Sequence, residues 1–156
     1  MKKKILVVLL ASFMAAGCET IPKPTKTALE LQSIQTKEFE TSKKVAFAAT
    51  LSVFQDVGYT VTSASLDTGL ITAKSPTKQD FVLFVGQRMK DVKATAFVEE
   101  IVQNRTKVRV SLVNSSETSN GYGMKGGHEI PEESPEVYQD IFAKIQQGIF
   151  VRRNTQ

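Results

Sequence analysis

The chain has a single cysteine, Cys18, and this limits what can hold its fold together. Residues 2–4 are lysines, residues 5–16 form a mostly apolar run, and the small residues 15–17 precede the cysteine. A basic, an apolar and a small-residue segment in that order are typical of a secretory leader. With no second thiol, the chain can form neither an internal disulfide nor a cysteine-based zinc site. The folded part must therefore be held by a hydrophobic core.

The Gly17-Cys18 junction resembles the lipobox of bacterial lipoproteins, although Ala15 stands where a larger aliphatic residue is more usual. The resemblance implies lipidation of Cys18, with removal of the leader before it. Each buried methylene contributes about 0.8 kcal/mol, so two or three acyl chains, such as palmitate, give a lasting anchor. The apolar run is shorter than the roughly 20 residues of a membrane-spanning helix. Glu19 is not the aspartate that retains enteric lipoproteins in the inner membrane, which implies the periplasmic face of the outer membrane, with the inner membrane as the alternative.

Loss of the leader changes the charge balance of the chain. The full sequence has 20 Lys+Arg and 16 Asp+Glu. Three lysines leave with residues 1–17 and no acid does, so the mature chain carries 17 minus 16, or +1. Its cations are scattered among acids, whereas a nucleic-acid partner calls for a clustered basic face. We therefore expect no nucleic acid among its partners.

Length and proline placement predict one domain behind a tether. Residues 1–17 form the lipoprotein signal peptide, residues 18–33 the acylated cysteine and a flexible tether, and residues 34–156 a single periplasmic domain. Pro22 and Pro24 cannot continue a helix or a central strand, because proline lacks the backbone donor. A short helical turn over residues 28–31, capped by Thr27, is possible within the tether. The mature length, 156 minus 17, is 139 residues, which suits one domain with one core.

Hydrophobic periodicity and turn residues predict the order of the elements. The expected elements are a strand over 34–41, a helix over 43–57 ended by Gly58, a hairpin of 59–66 with 70–74, a long hairpin around 92–98 and 108–112, a Gly-rich loop, and a helix beginning at Ser134-Pro135-Glu136. Residues 80–90 fit either a buried strand or a short helix. This order predicts an α+β fold in which an antiparallel sheet of four to five strands carries two helices on one face, a two-layer sandwich.

Several segments together carry a family resemblance over nearly the whole mature chain. They are Phe39-Glu40-Thr41, 51–59, 67–73, 104–109, Gly121-Tyr122-Gly123, Tyr138 and 149–152. They look like an uncharacterised family of small proteobacterial outer-membrane lipoproteins, which implies a cell-envelope role but supplies no active-site residues. The front half is similar, more loosely, to the small domains of the C lipoprotein of the β-barrel assembly machinery.

Motifs that suggest chemistry have simpler interpretations here. Residues 121–126 match G-x-G-x-x-G, but a dinucleotide site needs a preceding parallel strand and a helix that begins within the motif. His128 is the only histidine, and a zinc or general-base role would need further ligands or a partner nucleophile. Glu99 and Glu100 are adjacent on a strand and point to opposite faces. The sequence therefore predicts no enzyme, no nucleotide, no cofactor and no metal.

A surplus of apolar residues is the remaining functional signal. Residues 81–85, Met89, Phe97 and Ile101 exceed what one covered sheet face needs. They serve either as extra core folded over the second face or as an exposed contact. The candidate interaction surface comprises Tyr122, Met124, Phe81 and Phe84. We expect a structural or accessory module that binds another envelope protein, and the alternative is a binder of a lipid or a small apolar ligand.

Overall fold

The computed structural model describes residues 25–82, 86–119 and 125–154, with only the backbone described at 81, 82, 86 and 125. These parts contain three helices and seven strands. In chain order they are α1 (Ala28–Ile34), β1 (Thr36–Phe39), α2 (Lys43–Asp56), β2 (Thr60–Ser65), β3 (Leu70–Lys74), β4 (Lys78–Val82), β5 (Gly86–Val102), β6 (Arg105–Ser119), β7 (Lys125–Pro131) and α3 (Pro135–Asn154). No helix within these ranges has the length and apolar character needed to cross a bilayer.

All strand pairs in the sheet are antiparallel. The main path runs β1-β6-β5-β3-β2, with β4 added beside β5 and β7 beside β6. The 17-residue β5 and the 15-residue β6 form one long hairpin, which turns at Asn104 in the left-handed region (φ 62°). The α+β class with an antiparallel sheet is therefore confirmed, whereas the predicted count of four to five strands was too low.

One face of the sheet forms the core with the helices. Alternate residues of the three central strands are buried, because successive strand side chains point to opposite faces. They are Ile71, Ala73, Ala94, Ala96, Val98, Val108, Val110 and Leu112. These residues cluster with buried side chains of α2 and α3, among them Phe47, Phe54, Phe142 and Ile145. The two helices meet each other where Gly148 faces Ala49.

The helix ends follow the local signals. Gly58 comes just after α2 with φ 87°, the left-handed conformation that glycine adopts without strain. Ser42 occupies the N-cap of α2 but makes no side-chain capping hydrogen bond. Thr27 caps α1 through a capping box with Glu30. All but the last residue of helix α1, Ile34, falls in residues 18–33, the segment predicted as a tether.

Two segments that the sequence left ambiguous or predicted as a loop contain strands. Within the ambiguous stretch 80–90, β4 pairs with β5, so its described residues are strand and not helix. Part of the expected Gly-rich loop is also a strand, because β7 pairs with β6 from Ser119↔Lys125 to Val113↔Pro131. β4 lies beside β5 as a further strand, rather than folding across a face as extra core.

Candidate interaction surface

Beyond the helices the sheet continues as a four-stranded extension, which we call the arm. It comprises β4, residues 86–91 of β5, residues 114–119 of β6, and β7. Burial marks its base: β5 is buried at every second residue from Ala94 to Val98, whereas Ser115 is the only buried residue among the described side chains of the arm. A sheet needs a hydrophobic face for stability of its own, so the arm is held mainly through β5 and β6.

One surface of the arm continues the helix-covered face of the sheet and is basic; we call it the basic face. Across the four strands, Lys78 pairs with Lys90, Lys90 with Ser116, and Ser116 with His128. Arg88 lies in the next row of this face, opposite Asp80. Lys90 Nζ and Asp80 Oδ2 form a loose ion pair at 3.9 Å. Like charges directly opposite each other destabilise a strand pair, so Lys78 and Lys90 add no stability to the arm.

The other surface carries three acids, Asp91, Glu117 and Glu129, and we call it the acidic face; the register also places Lys125 on it, opposite Ser119. Lys74 Nζ lies 3.4 Å from Asp91 Oδ2, and Lys93 pairs with Glu129. The hydrogen bond with Glu129 and the charges of the three acids raise the pKa of Lys93. Among the described residues, no salt bridge reaches the exposed Glu117. Its negative charge is therefore available on the surface of the arm.

A shallow recess of about 340 Å³ opens on the arm beside Glu117. It is lined by Met89, Glu117, Thr118, Ser119, Gly126 and Gly127. Gln79, Met89, Glu117 and Gly127 form one row across all four strands on the acidic face. Gly127 contributes no side chain, so the recess opens toward the outer edge of the sheet. Apolar atoms, those of Met89 among them, make up the larger part of its lining, and Glu117 adds a carboxylate, so the recess suits a group with an apolar stem and a charged end.

Most of the predicted surface residues fall outside what the structure describes. Phe84, Tyr122 and Met124 lie outside the described residues, as does the expected lipidation site Cys18. Phe81 belongs to β4, where its backbone pairs with Gln87, but its side chain is likewise outside the description.

The described strands nonetheless relate the two predicted segments to each other. Gln87, near the start of β5, pairs with Ser119, the last residue of β6. The chain therefore leaves β5 toward residues 83–85, and β6 toward residues 120–124, at the same end of the arm.

The described structure does not give the G-x-G-x-x-G match, His128 or the adjacent glutamates the surroundings that a nucleotide, metal or catalytic site needs. Gly126, the last glycine of the G-x-G-x-x-G match, lies in β7, where a dinucleotide site requires a helix. His128 is exposed, and the described ranges contain no group of three residues placed to hold a metal ion. Glu99 forms a salt bridge with Lys107 at 2.7 Å, and Glu100 accepts a hydrogen bond from the amide of Asn104. Both carboxylates thus have structural partners.

A contact that the sequence did not predict fixes where the chain enters the domain. The carboxylate of Glu133 accepts hydrogen bonds from the amide and hydroxyl of Thr25 and from the amide of Lys26. The hydroxyl bond of Thr25, followed by its amide bonds, lowers the pKa of Glu133. Glu133 lies between β7 and α3, so the amino-terminal segment joins the domain beside the base of the arm.

The uncovered face of the sheet outside the arm carries a small apolar pair. Leu70 and Phe97 are directly opposite each other on β3 and β5 and are 41% and 42% exposed. Ile101, also in the predicted surplus, is 44% exposed. These side chains are surrounded by Thr72, Thr95 and Arg109, so the face has no extended apolar patch there.

Comparison with known proteins adds little to this geometry. No protein-family model and no curated protein matches the chain. Among solved structures, it is similar to a TBP-like protein from Parabacteroides distasonis, with 13% identity and a TM-score of 0.37 over 73% of this chain and 90% of that one. A TM-score of this size carries no argument about function.

Proposed function

We propose that the protein is a membrane-anchored periplasmic lipoprotein whose two-layer α+β domain acts as a structural or accessory interaction module of the cell envelope. The observation that carries the proposal is the arm. It is a hydrogen-bonded extension of β5 and β6, yet its described side chains bury almost nothing within the protein. Residues placed by a rigid scaffold but unused by the core are suited to binding.

The entry point of the chain supports the anchoring part of the proposal. Thr25 is fixed to Glu133 and comes seven positions after Cys18 in the chain. A fully extended chain covers at most about 3.6 Å per residue, so the tether reaches about 25 Å. An acylated Cys18 would therefore keep the base of the arm within that distance of the bilayer surface.

The shared end of β5 and β6 supports the binding part. Both segments that carry the predicted surface residues, Phe81 with Phe84 and Tyr122 with Met124, connect to strands at that end. A single partner could therefore contact both segments. A binder of a lipid or a small apolar ligand remains the alternative, and it would need an enclosed apolar pocket between sheet and helices.

Two measurements test the proposal. Mass spectrometry of the protein isolated from membranes should show an acylated amino-terminal Cys18, and Cys18→Ser should leave the protein unacylated. Affinity isolation from crosslinked envelopes should then recover a discrete partner with the wild type and lose it with Tyr122→Ala. An unmodified thiol at Cys18 refutes the anchor, and a partner set unchanged by Tyr122→Ala refutes that surface.

A further inference from the structure

The recess on the acidic face has a feature that the fold itself does not require. Gly126 and Gly127 lie inside β7, where glycine costs stability because it loses much conformational freedom on folding. Glycine within a strand commonly marks a bulge, a bend, or the close approach of a ligand or another backbone. The β6–β7 register has no shift, and among the described glycines only Gly58 and Gly69 have positive φ.

Steric crowding within the protein does not explain these glycines either. A Cβ at Gly127 would lie 3.4 Å from the carbonyl oxygen of Ser116 and 3.5 Å from Cγ of Glu117, which are ordinary contacts. A Cβ at Gly126 would meet only Oγ1 of Thr118, at 3.5 Å. The space above Gly127 is therefore open to a group from outside the chain.

β7 also offers a backbone edge at the same place. It pairs with β6 on one side, and no described strand pairs with its other side. An extended peptide can add to such an edge, with main-chain hydrogen bonds giving affinity and alternate side chains giving specificity. Pro131 ends β7 and cannot donate to a ladder, so residues 125–130 form the usable edge.

Geometry then selects the side chain that such a peptide would carry. Neighbouring strands lie about 4.8 Å apart, so a strand added to β7 would lie about 10 Å from Glu117 on β6. Only a long side chain covers that distance, and it must cross Gly127, where no side chain blocks it. Lys or Arg can lay its methylenes over Gly127 and place its cation on the Glu117 carboxylate, while Met89, one strand farther on, borders the far side of the recess. The complementary charge comes from Glu117 itself, whose carboxylate no salt bridge reaches among the described residues.

We propose that the recess formed by Met89, Glu117 and Gly127 binds a Lys or Arg side chain from an extended segment of a protein partner that adds to the edge of β7. This inference deepens the proposed function, because it names the site and the chemistry of the partner. It does not depend on acylation of Cys18.

The direct test uses peptides and the mature full-length protein in nanodiscs. The probe is a fluorescent pentapeptide library of Thr and Val with Lys, Arg or Glu fixed at the centre, titrated by fluorescence anisotropy. The Lys and Arg members should bind at least about tenfold more tightly than the Glu members, as expected for a hydrogen bond to a charged group. Glu117→Gln should remove that preference. No preference in the wild type, or an unchanged preference in Glu117→Gln, overturns the inference.

A second position on β7, outside the recess, supplies a matched control for folding. Gly127→Val should keep or raise the melting temperature, since valine suits a strand, yet lower cationic peptide affinity about tenfold or more. His128→Val places the same side chain on the same strand but on the basic face and outside the recess, and it should leave affinity unchanged. If Gly127→Val does not fold, Gly127→Ala tests the same space. Equal affinities for the folded Gly127 and His128 variants overturn the site, while partner isolation with wild type would still support the proposed function.

Discussion

The backbones of Gly69 and Val98 touch so closely that no side chain fits between them. The amide of Val98 donates a 2.8 Å hydrogen bond to the carbonyl oxygen of Gly69. A Cβ added to Gly69 would lie 2.0 Å from the carbonyl oxygen of Val98, and Gly69 has φ 76°. This glycine therefore serves two purposes, the turn between β2 and β3 and the docking of that turn on β5.

Gly69→Ala should destabilise the domain by about 3 kcal/mol or more, because the strain of positive φ adds to a backbone collision. Gly58→Ala is the matched control: Gly58 has φ 87°, but nothing lies within 4 Å of its added Cβ. That change should cost only about 1 kcal/mol. Urea unfolding of both variants measures the difference, and equal losses would show that the Gly69–Val98 approach is not tight.

The buried hydroxyl of Tyr138 joins three parts of the fold. It donates to the carbonyl oxygen of Glu132 at 3.0 Å and accepts hydrogen bonds from Gln35 Nε2 and the amide of Leu112. Burial raises the pKa of Tyr138. Tyr138→Phe should cost about 1–3 kcal/mol, since it leaves buried polar groups without a partner.

Tyr59→Phe is the control for that change. Tyr59 is only partly buried and stacks on Phe54 with ring centroids 6.2 Å apart, a contact that phenylalanine keeps. Loss of the Tyr59 hydroxyl should change the free energy of unfolding by less than about 0.5 kcal/mol. Thermal melts of the two variants that gave equal losses would exclude a structural role for the Tyr138 hydroxyl.

Docking of the amino-terminal segment on Glu133 should depend on pH. The pKa of Glu133 in the folded protein is lowered from its ordinary 4.5, first by the hydroxyl bond from Thr25. A lowered folded pKa means that the contact is complete above about pH 4.5 and is lost as the pH falls through the folded value. The heteronuclear NOE of the Thr25 amide should therefore stay constant from pH 6 to about pH 4.5 and fall as the pH is lowered further.

Glu133→Gln removes the ionised group and should give a low NOE at Thr25 at every pH in the titration. A wild-type NOE that stays constant as the pH falls would mean that Glu133 does not hold this segment.

Adjacent residues on β5 test which face of the sheet the helices cover. Phe97 is 42% exposed and Val98 is fully buried. Phe97→Thr should cost at most about 1 kcal/mol, whereas Val98→Thr should cost about 2–3 kcal/mol because it buries a hydroxyl. The reverse ranking in urea unfolding would place the core on the other face.

Local signals were sufficient to predict the hairpins and the two long helices. Gly58 and Gly69 adopt the positive φ that their turns demand, and Pro135 begins α3 as its first-turn position predicts. Alternation along β5 and β6 was clear only where one face is buried. Residues 114–119 of β6 are polar on both faces, so no periodicity revealed that the strand continues.

The arm was not predicted from the sequence for the same reason, the lack of hydrophobic periodicity in its strands. β4 and β7 are short edge strands rich in charged residues and glycine, and they form because β5 and β6 offer them a partner. The recess was not predicted either, because Met89, Glu117 and Gly127 lie on three different strands and form no short sequence motif. The antiparallel register alone brings them together.

Site-specific photocrosslinking in intact cells tests whether the arm is the binding surface. A benzophenone side chain at Gln79 lies on the arm, in the same row as Gly127, whereas one at Thr95 lies on the uncovered face of the central sheet. We predict a discrete adduct with one envelope protein from Gln79, lost when Gly127→Val is added, and no adduct from Thr95. A discrete adduct from Thr95 with none from Gln79 would contradict the assignment of the arm as the binding surface.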